Sequence, residues 1–188
     1  MNPRLEEVLN YLDSERTALR EAIELVPTGL RDKEPGPDRW SVAQVLQHLV
    51  MIERRIGMGM TKWVADANAA GVGPELETSS VLNSLDLALI ADRSRRRNAP
   101  DEVRPDGKLD AASAWTALEQ TRAALRAGVT PGDGLALSEV IQPHPVLGPI
   151  NIYQWLLFVG SHETRHTGQV REIAAELSAG ANTAAGAS

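Results

Sequence analysis

Residues 151–178, which read NIYQWLLFVGSHETRHTGQVREIAAELS, form the longest uninterrupted helical pattern of the chain and decide its fold. His162 and His166 lie near the middle of this stretch, four residues apart. On a helix this spacing places both imidazoles on one face, one turn apart. A single metal ion can take two nitrogen ligands from such a pair, so a third ligand from elsewhere would complete a site.

A third histidine lies in the second helical segment, within WSVAQVLQHLVMIE (40–53). Ser41 and Gln44 fit a capping box, which predicts a helix that begins directly after the serine. His48 follows beside the apolar face of that helix. It is therefore the natural third partner for the two histidines of the last helix.

The composition predicts one domain over residues 1–180, followed by a flexible tail at 181–188. There are no cysteines, which excludes disulfides, thiolate metal sites and a cysteine nucleophile. The net charge of −6 argues against a nucleic-acid partner. Because the chain has neither a signal-peptide pattern nor a long apolar run, we expect a cytoplasmic protein without a membrane partner.

Helical periodicity predicts an all-α four-helix bundle. Apolar residues recur at helical spacing in four segments, 3–26, 42–70, 111–127 and 151–178. A long crossover, 71–109, separates the second from the third and contains a shorter extra helix over 81–97. Gly128 is expected to stop the third long helix. The connection after it reads as a loop, and no segment is predicted to form a strand.

The sequence HETRH at 162–166 also satisfies H-E-x-x-H, the helix motif of zinc peptidases. In that interpretation Glu163 deprotonates a metal-bound water. A peptidase is the weaker interpretation, because no histidine follows His166 and Gly168 is one place early for the extended motif. Glu163 lies about 100° around the helix from its neighbouring ligand. It is either a catalytic base or a member of a salt bridge.

Taken together, WSVAQVLQHLVMIE (40–53), HPVLGPINIYQWLLFVGSHETRH (144–166) and the following GQV resemble the DinB-like superfamily of DNA-damage-inducible and YfiT-related four-helix bundles. The resemblance covers nearly the whole chain. It implies a divalent metal ion, often zinc or nickel, held by three histidines that map onto His48, His162 and His166. It also implies a homodimer.

Members of this family include thiol S-transferases that use bacillithiol or mycothiol, a thiol-dependent maleylpyruvate isomerase and proteins described as metal-dependent hydrolases. The resemblance therefore implies a small electrophilic substrate, with a low-molecular-weight thiol as a cosubstrate in the transferase case. The sequence does not choose between thiol transfer and hydrolysis. A non-catalytic bundle that binds a partner remains the alternative.

Further residues are candidates around this site or on the surface. Glu15 interrupts the apolar stripe of the first helix and is either an edge carboxylate or a hydrogen-bond acceptor for a ligand histidine. Gln169, one turn past the last histidine of the motif, could bond to a ligand or substrate. His144 lies in the loop before the last helix and could line the mouth of the site. Trp63 is a candidate for a dimer interface, and Tyr153 either packs inside the bundle or takes part in that interface.

Overall fold

Five α-helices and one β-hairpin, with short 3-10 turns between them, make up the part of the chain that the structure describes. The computed structural model describes residues 1–95 and 98–185, with side chains through 179. In chain order the elements are α1 (Pro3–Glu24), α2 (Val42–Ala70), α3 (Leu87–Ala91), α4 (Ala111–Val129), β1 (Ile141–His144), β2 (Gly148–Asn151) and α5 (Ile152–Ala185). The predicted all-α four-helix bundle with a short extra helix in the crossover is confirmed. None of the helices in these two ranges is long and apolar enough to span a membrane. The end of the predicted tail, 186–188, lies outside the described residues.

The four long helices pack as two pairs. Helix α2 packs mainly on α4, and α1 packs mainly on α5, whereas α2 and α5 share a much smaller direct contact. Two apolar clusters fill the bundle at successive levels along its axis. One includes Leu12 and Met60, and the other includes Leu19, Leu46 and Leu118. The levels between them carry polar side chains, and these include the candidate site.

The helix start signals in the sequence are present in the structure. Ser41 and Gln44 make both hydrogen bonds of the capping box at the start of α2. Asn151 and Gln154 make the equivalent pair at the start of α5. Because these caps define where α2 and α5 begin, they also define which side of each helix carries its histidines.

The crossover is less helical than predicted. Within the expected helix over 81–97, whose last residues lie outside the described part of the chain, only Leu87–Ala91 is α-helical. Asp86 caps this turn by accepting the backbone N–H of Leu89, and Asp92 follows its last residue. Leu89 lies within this turn and is 54% exposed, so the turn buries little apolar surface at that position. Aspartates that bond to nearby backbone groups compete with a helix, which explains why the longer helix does not form.

The connection predicted to be a loop contains the antiparallel hairpin β1–β2, so the prediction of no strand is wrong. Pro143 pairs with Pro149, and His144 pairs with Gly148. The Nδ1 atom of His144 accepts two backbone N–H groups of the turn, each at 3.1 Å. Gly148 adopts a φ of 74°, which favours glycine. The sequence conceals the hairpin because a proline in each strand removes a ladder donor.

The predicted stop at Gly128 is also wrong, since α4 continues to Val129 and into a 3-10 turn. Gly128 is instead buried where α4 approaches α2. A Cβ atom at this position would lie 2.6 Å from Thr61 Oγ1 and 3.4 Å from the backbone oxygen of Gly57. The close approach of the two helices therefore requires a residue without a side chain.

Gly128→Ala is expected to lower the free energy of unfolding by about 1–3 kcal/mol, because the added methyl group overpacks this contact. Helix propensity alone predicts the opposite sign, since alanine is more stable than glycine in a helix interior by about 1 kcal/mol. A loss of stability therefore points to the overpacked contact. Urea unfolding followed by circular dichroism measures the change. Gly29→Ala, where no other atom lies within 4 Å of the added carbon, is the control and should stay within about 0.5 kcal/mol of the parent. A Gly128→Ala protein as stable as the parent would contradict the packing argument.

Candidate metal centre

Three histidines from two helices converge in the polar region of the bundle. His48 of α2 and His162 and His166 of α5 each offer one ring nitrogen, and these three atoms lie within 4.8 Å of one another. The ring centroids are 5.3 Å apart for His48 and His162, and 4.6 Å apart for His162 and His166. The structure thus brings together the three residues that the sequence predicts as ligands.

Hydrogen bonds orient two of the three imidazoles. The Nδ1 atom of His48 lies 2.7 Å from the Val103 carbonyl oxygen. That of His166 lies 2.8 Å from Gln169 Oε1. Because both oxygens accept hydrogen bonds, each Nδ1 carries the proton and each Nε2 keeps its lone pair. The Nε2 atoms of His162 and His166 are 3.3 Å apart. Metal-binding histidines are commonly oriented in this way.

Burial keeps the three imidazoles neutral. The exposed fractions of His48 and His166 are 4% and 6%, and His162 is partly buried. Burial lowers the pKa of His48 and places the pKa of His166 well below its ordinary value. It also lowers the pKa of His162 to about 3, and the neighbouring His48 and Arg165 add to the effect. Neutral imidazole is the form that binds a metal ion.

Two aromatic side chains lie against the histidines. The ring of Trp40, directly before α2, lies 5.2 Å from that of His48 between centroids. The ring of Phe158 stacks on that of His162 at 5.5 Å, with an interplanar angle of 21°. These apolar rings form two walls beside the nitrogen atoms and limit the access of water to them.

The crossover contacts both helices that carry the histidines. The hydroxyl of Ser161, next to the first histidine of α5, donates to the Leu87 carbonyl at 2.6 Å. Arg93 donates two hydrogen bonds to Glu172, about three turns further along α5. The Val103 carbonyl completes the contact on the α2 side. The site is therefore enclosed by α2, α5 and the crossover.

Glu163 is directed away from the histidines. Its two carboxylate oxygens accept hydrogen bonds from Arg16 and Arg122, each at 2.5 Å, and its side chain is 2% exposed. A general base has to reach the proton that it removes. The geometry thus argues against Glu163 as the catalytic base, and against the peptidase interpretation of HETRH, and it favours the salt bridge that the sequence left as the alternative.

One residue from each long helix contributes to a buried group of charges, which we call the ion cluster. Its members are Arg16 of α1, Glu53 of α2, Arg122 of α4 and Glu163 of α5. Each carboxylate bridges both guanidinium groups. No side chain of the four is more than 9% exposed. The ion cluster lies between the two apolar clusters, at the level of the candidate site.

Arg16, Glu53 and Arg122 are not among the predicted site residues, although the sequence contains a signal for them. Arg16 lies four residues after Leu12 and three before Leu19, and it is thus on the buried stripe of α1. Glu53 and Arg122 occupy equivalent positions on α2 and α4. A charge at such a position has to be paired, because burial of an isolated charge is costly. Charged residues at core positions of the periodic helices are therefore the pattern that predicts all three.

Two other candidates have partners outside the histidine cluster. Glu15 accepts a hydrogen bond from the Thr164 hydroxyl at 2.6 Å, so the structure does not bring it to a histidine. His144 uses its Nδ1 in the hairpin turn, and its ring packs on Phe158 at 4.3 Å and on Trp155 at 4.8 Å. His144 therefore supports the aromatic wall beside the site and is not one of the converging ligands.

The two residues considered for a dimer interface differ in burial. Tyr153 is 1% exposed and donates to Glu75 at 3.1 Å, so it packs inside the bundle, which is one of its two predicted roles. Trp63 is partly buried, and its ring lies 5.1 Å from that of Trp155. The homodimer remains a prediction of the resemblance.

The fold and the histidine cluster place this chain among helical bundles with a site that can hold a metal ion. The sequence model of the DinB superfamily matches residues 11–170, and the chain belongs to that superfamily. The chain is also 29% identical over 143 residues to the uncharacterized protein YuaE of Bacillus subtilis (strain 168), an alignment that covers 76% of this chain and 82% of YuaE. No solved structure matches the chain significantly. The resemblance inferred from the motifs is thereby confirmed.

Gln169→Leu is expected to weaken metal binding about 10-fold, because His166 loses the acceptor that holds its ring and its tautomer. Competition with a chromophoric chelator measures the dissociation constant. Gln120→Leu, an exposed position on α4, is the control and should bind as the parent does. Equal affinity of the Gln169→Leu and Gln120→Leu proteins would show that Gln169 does not orient the histidine.

Proposed function

We propose that this protein is a metal-dependent enzyme that transfers a low-molecular-weight thiol to a small electrophilic substrate. The observation that supports it is the convergence of three neutral ring nitrogens from His48, His162 and His166 on one point. Three protein ligands and an open fourth position are typical of a catalytic metal site, whereas structural sites are closed.

The donor set fits a divalent ion that accepts imidazole, with zinc and nickel as the first candidates. Two nitrogen atoms bound to one zinc ion at tetrahedral geometry lie about 3.3 Å apart. The Nε2 atoms of His162 and His166 have this separation, at 3.3 Å. Burial and the hydrogen bonds to Val103 and Gln169 already present the rings of His48 and His166 in the neutral, ligand form.

The surroundings of the site favour thiol transfer over hydrolysis. A bound divalent ion lowers the pKa of a thiol or a water molecule beside it. Hydrolysis additionally calls for a general base, and the two carboxylates considered for roles at the site are engaged elsewhere, Glu163 with two arginines and Glu15 with Thr164. A thiol has a much lower intrinsic pKa than water and depends less on such a base. Because the chain has no cysteine, the thiol is a cosubstrate.

In this proposal the protein's own side chains bind and orient the reactants. Trp40 and Phe158 offer apolar faces beside the histidines for the body of the substrate and restrict water. The transfer forms a bond from sulfur to the electrophilic carbon. The leaving group, a halide or the oxygen of an opened epoxide, takes the electron pair of the broken bond, and the thiol proton passes to solvent.

To test the proposal, the protein is reconstituted with zinc or nickel and incubated with a thiol and an epoxide or alkyl halide. The expected result is consumption of the thiol above the uncatalysed rate, lost in His162→Ala. The His162→Ala protein should keep the helical circular dichroism of the parent. If metal-loaded protein leaves the background rate unchanged across bacillithiol, mycothiol and glutathione, thiol transfer is wrong, and the alternative of a non-catalytic binding module gains support.

A further inference from the structure

The ion cluster joins the two helix pairs of the bundle. Arg16 of α1 donates through Nε to Glu163 of its own partner helix and through Nη2 to Glu53 of the other pair. Arg122 of α4 does the converse and donates through Nε to Glu53 of its partner helix and through Nη2 to Glu163 of the other pair. Two of the four hydrogen bonds therefore hold a pair together, and two cross from one pair to the other.

Stability alone does not account for such a cluster. Four charges removed from water lose most of their solvation, and well-packed apolar residues in their place are often as stable or more stable. What the charges add is direction, because each planar guanidinium donates one hydrogen bond to each of two carboxylates, and both bonds are satisfied in only one relative placement of the helices. The backbone carbonyls of Leu12 and Leu118, which accept from Arg122 and Arg16, tighten that placement further.

The two carboxylates lie on the two helices that carry the histidines. Glu163 directly follows His162 on α5, and Glu53 lies five residues after His48 on α2. Any rotation or sliding of α5 that moves Glu163 moves its neighbouring histidine by a similar amount. Moreover, α2 and α5 share little direct contact, so their mutual register needs another source.

We propose that the ion cluster, Arg16–Glu53–Arg122–Glu163, is a positioning device that sets the register of α2 against α5 and thereby the distances between the three histidine nitrogens. The inference rests on the proposed metal site. A metal site tolerates ligand displacements of only about 0.2 Å from its preferred distances. The glutamate of HETRH thus acts through the helix that carries the ligands and does not touch the reactants.

Glu163→Gln tests the proposal, because the amide keeps the size of the side chain and removes half of its acceptor capacity. We expect Co²⁺ and Zn²⁺ affinity to fall about 10-fold, the lower end of the range known for changes outside the ligand set. We also expect the visible absorption of bound Co²⁺ to change in position and intensity, since it reports coordination geometry. A variant that was only less stable would keep the parent spectrum once folded and saturated with metal.

The chain provides a matched control in Glu75→Gln. Glu75 is equally buried, with a 2% exposed side chain, and forms an ion pair with Arg4 at 3.0 Å. Arg4 lies twelve residues before Arg16 on α1, more than three turns away from the ion cluster. Glu75→Gln should lose comparable stability in urea and should retain the parent affinity and cobalt spectrum.

The outcomes separate this inference from the proposed function. If the parent protein binds neither metal, the metal site itself is wrong. If the parent binds and Glu163→Gln matches Glu75→Gln in affinity and spectrum, the site stands and the positioning role is overturned. Should Glu163→Gln fail to fold, Arg16→Lys keeps the charge but loses the planar group that donates to Glu53 and Glu163 at once. It is tested in the same two measurements, and an unchanged affinity and spectrum again overturn the role.

Discussion

Arg122→Met is expected to destabilise the protein by about 3–5 kcal/mol, because it removes one of the two cations of the ion cluster and leaves a buried negative charge without its partner. In the parent, Arg122 binds one oxygen of Glu53 and one of Glu163. After the substitution, the two carboxylates share only the guanidinium of Arg16. The midpoint and slope of urea unfolding, followed by circular dichroism, measure this loss.

Arg126→Met is the control for Arg122→Met. Arg126 lies one turn further along α4 and pairs with Asp13 at 2.9 Å, but the side chains of that pair are 37% and 56% exposed. An exposed ion pair contributes only about 0–1 kcal/mol. Similar losses of unfolding free energy in the two variants would mean that the charges of the ion cluster remain hydrated. The inference that the ion cluster is buried away from water between the two apolar clusters would then be wrong.

His48→Ala is expected to remove stoichiometric metal binding, an effect larger than the about 10–100-fold losses known for residues that only support a ligand. The remaining two histidines come from a single helix and cannot enclose an ion by themselves. Titration with Ni²⁺ provides the measurement. The indole of Trp40 lies 5.2 Å from the imidazole of His48, so bound Ni²⁺ should quench its fluorescence.

His144→Asn is the matched variant, because it replaces a buried histidine outside the converging three and keeps an acceptor for the hairpin turn. It should retain the full quenching by Ni²⁺. Loss of quenching in both variants would point to a different ligand set or to a general disturbance of the aromatic wall. Retention in both would exclude His48 as a ligand.

The features that the sequence predicts correctly are local ones. The capping box of Ser41 with Gln44 depends on residues three apart and forms as predicted. The pairing of His162 with His166 depends only on helical spacing. The convergence of His48 with them is a long-range feature, and it was accessible because each histidine lies at the packing side of a clearly periodic helix.

The features that the sequence did not reveal depend on partners far apart along the chain. From the sequence alone, Glu163 is a candidate catalytic base. In the structure its two oxygens accept hydrogen bonds from Arg16 and Arg122, which are 147 and 41 residues away along the chain. The hairpin depends on His144 as a turn acceptor, which no simple propensity contains. In the crossover, apolar periodicity predicted a helix where aspartate side chains bond to the backbone instead.

The metal content of the untagged protein, measured by elemental mass spectrometry, tests the central claim most directly. The account predicts about one divalent ion per chain in the parent and none in His166→Ala, with the helical circular dichroism of the two unchanged. A parent protein that holds no metal, even after incubation with zinc and nickel, would contradict it. The three histidines would then be buried core residues of the bundle.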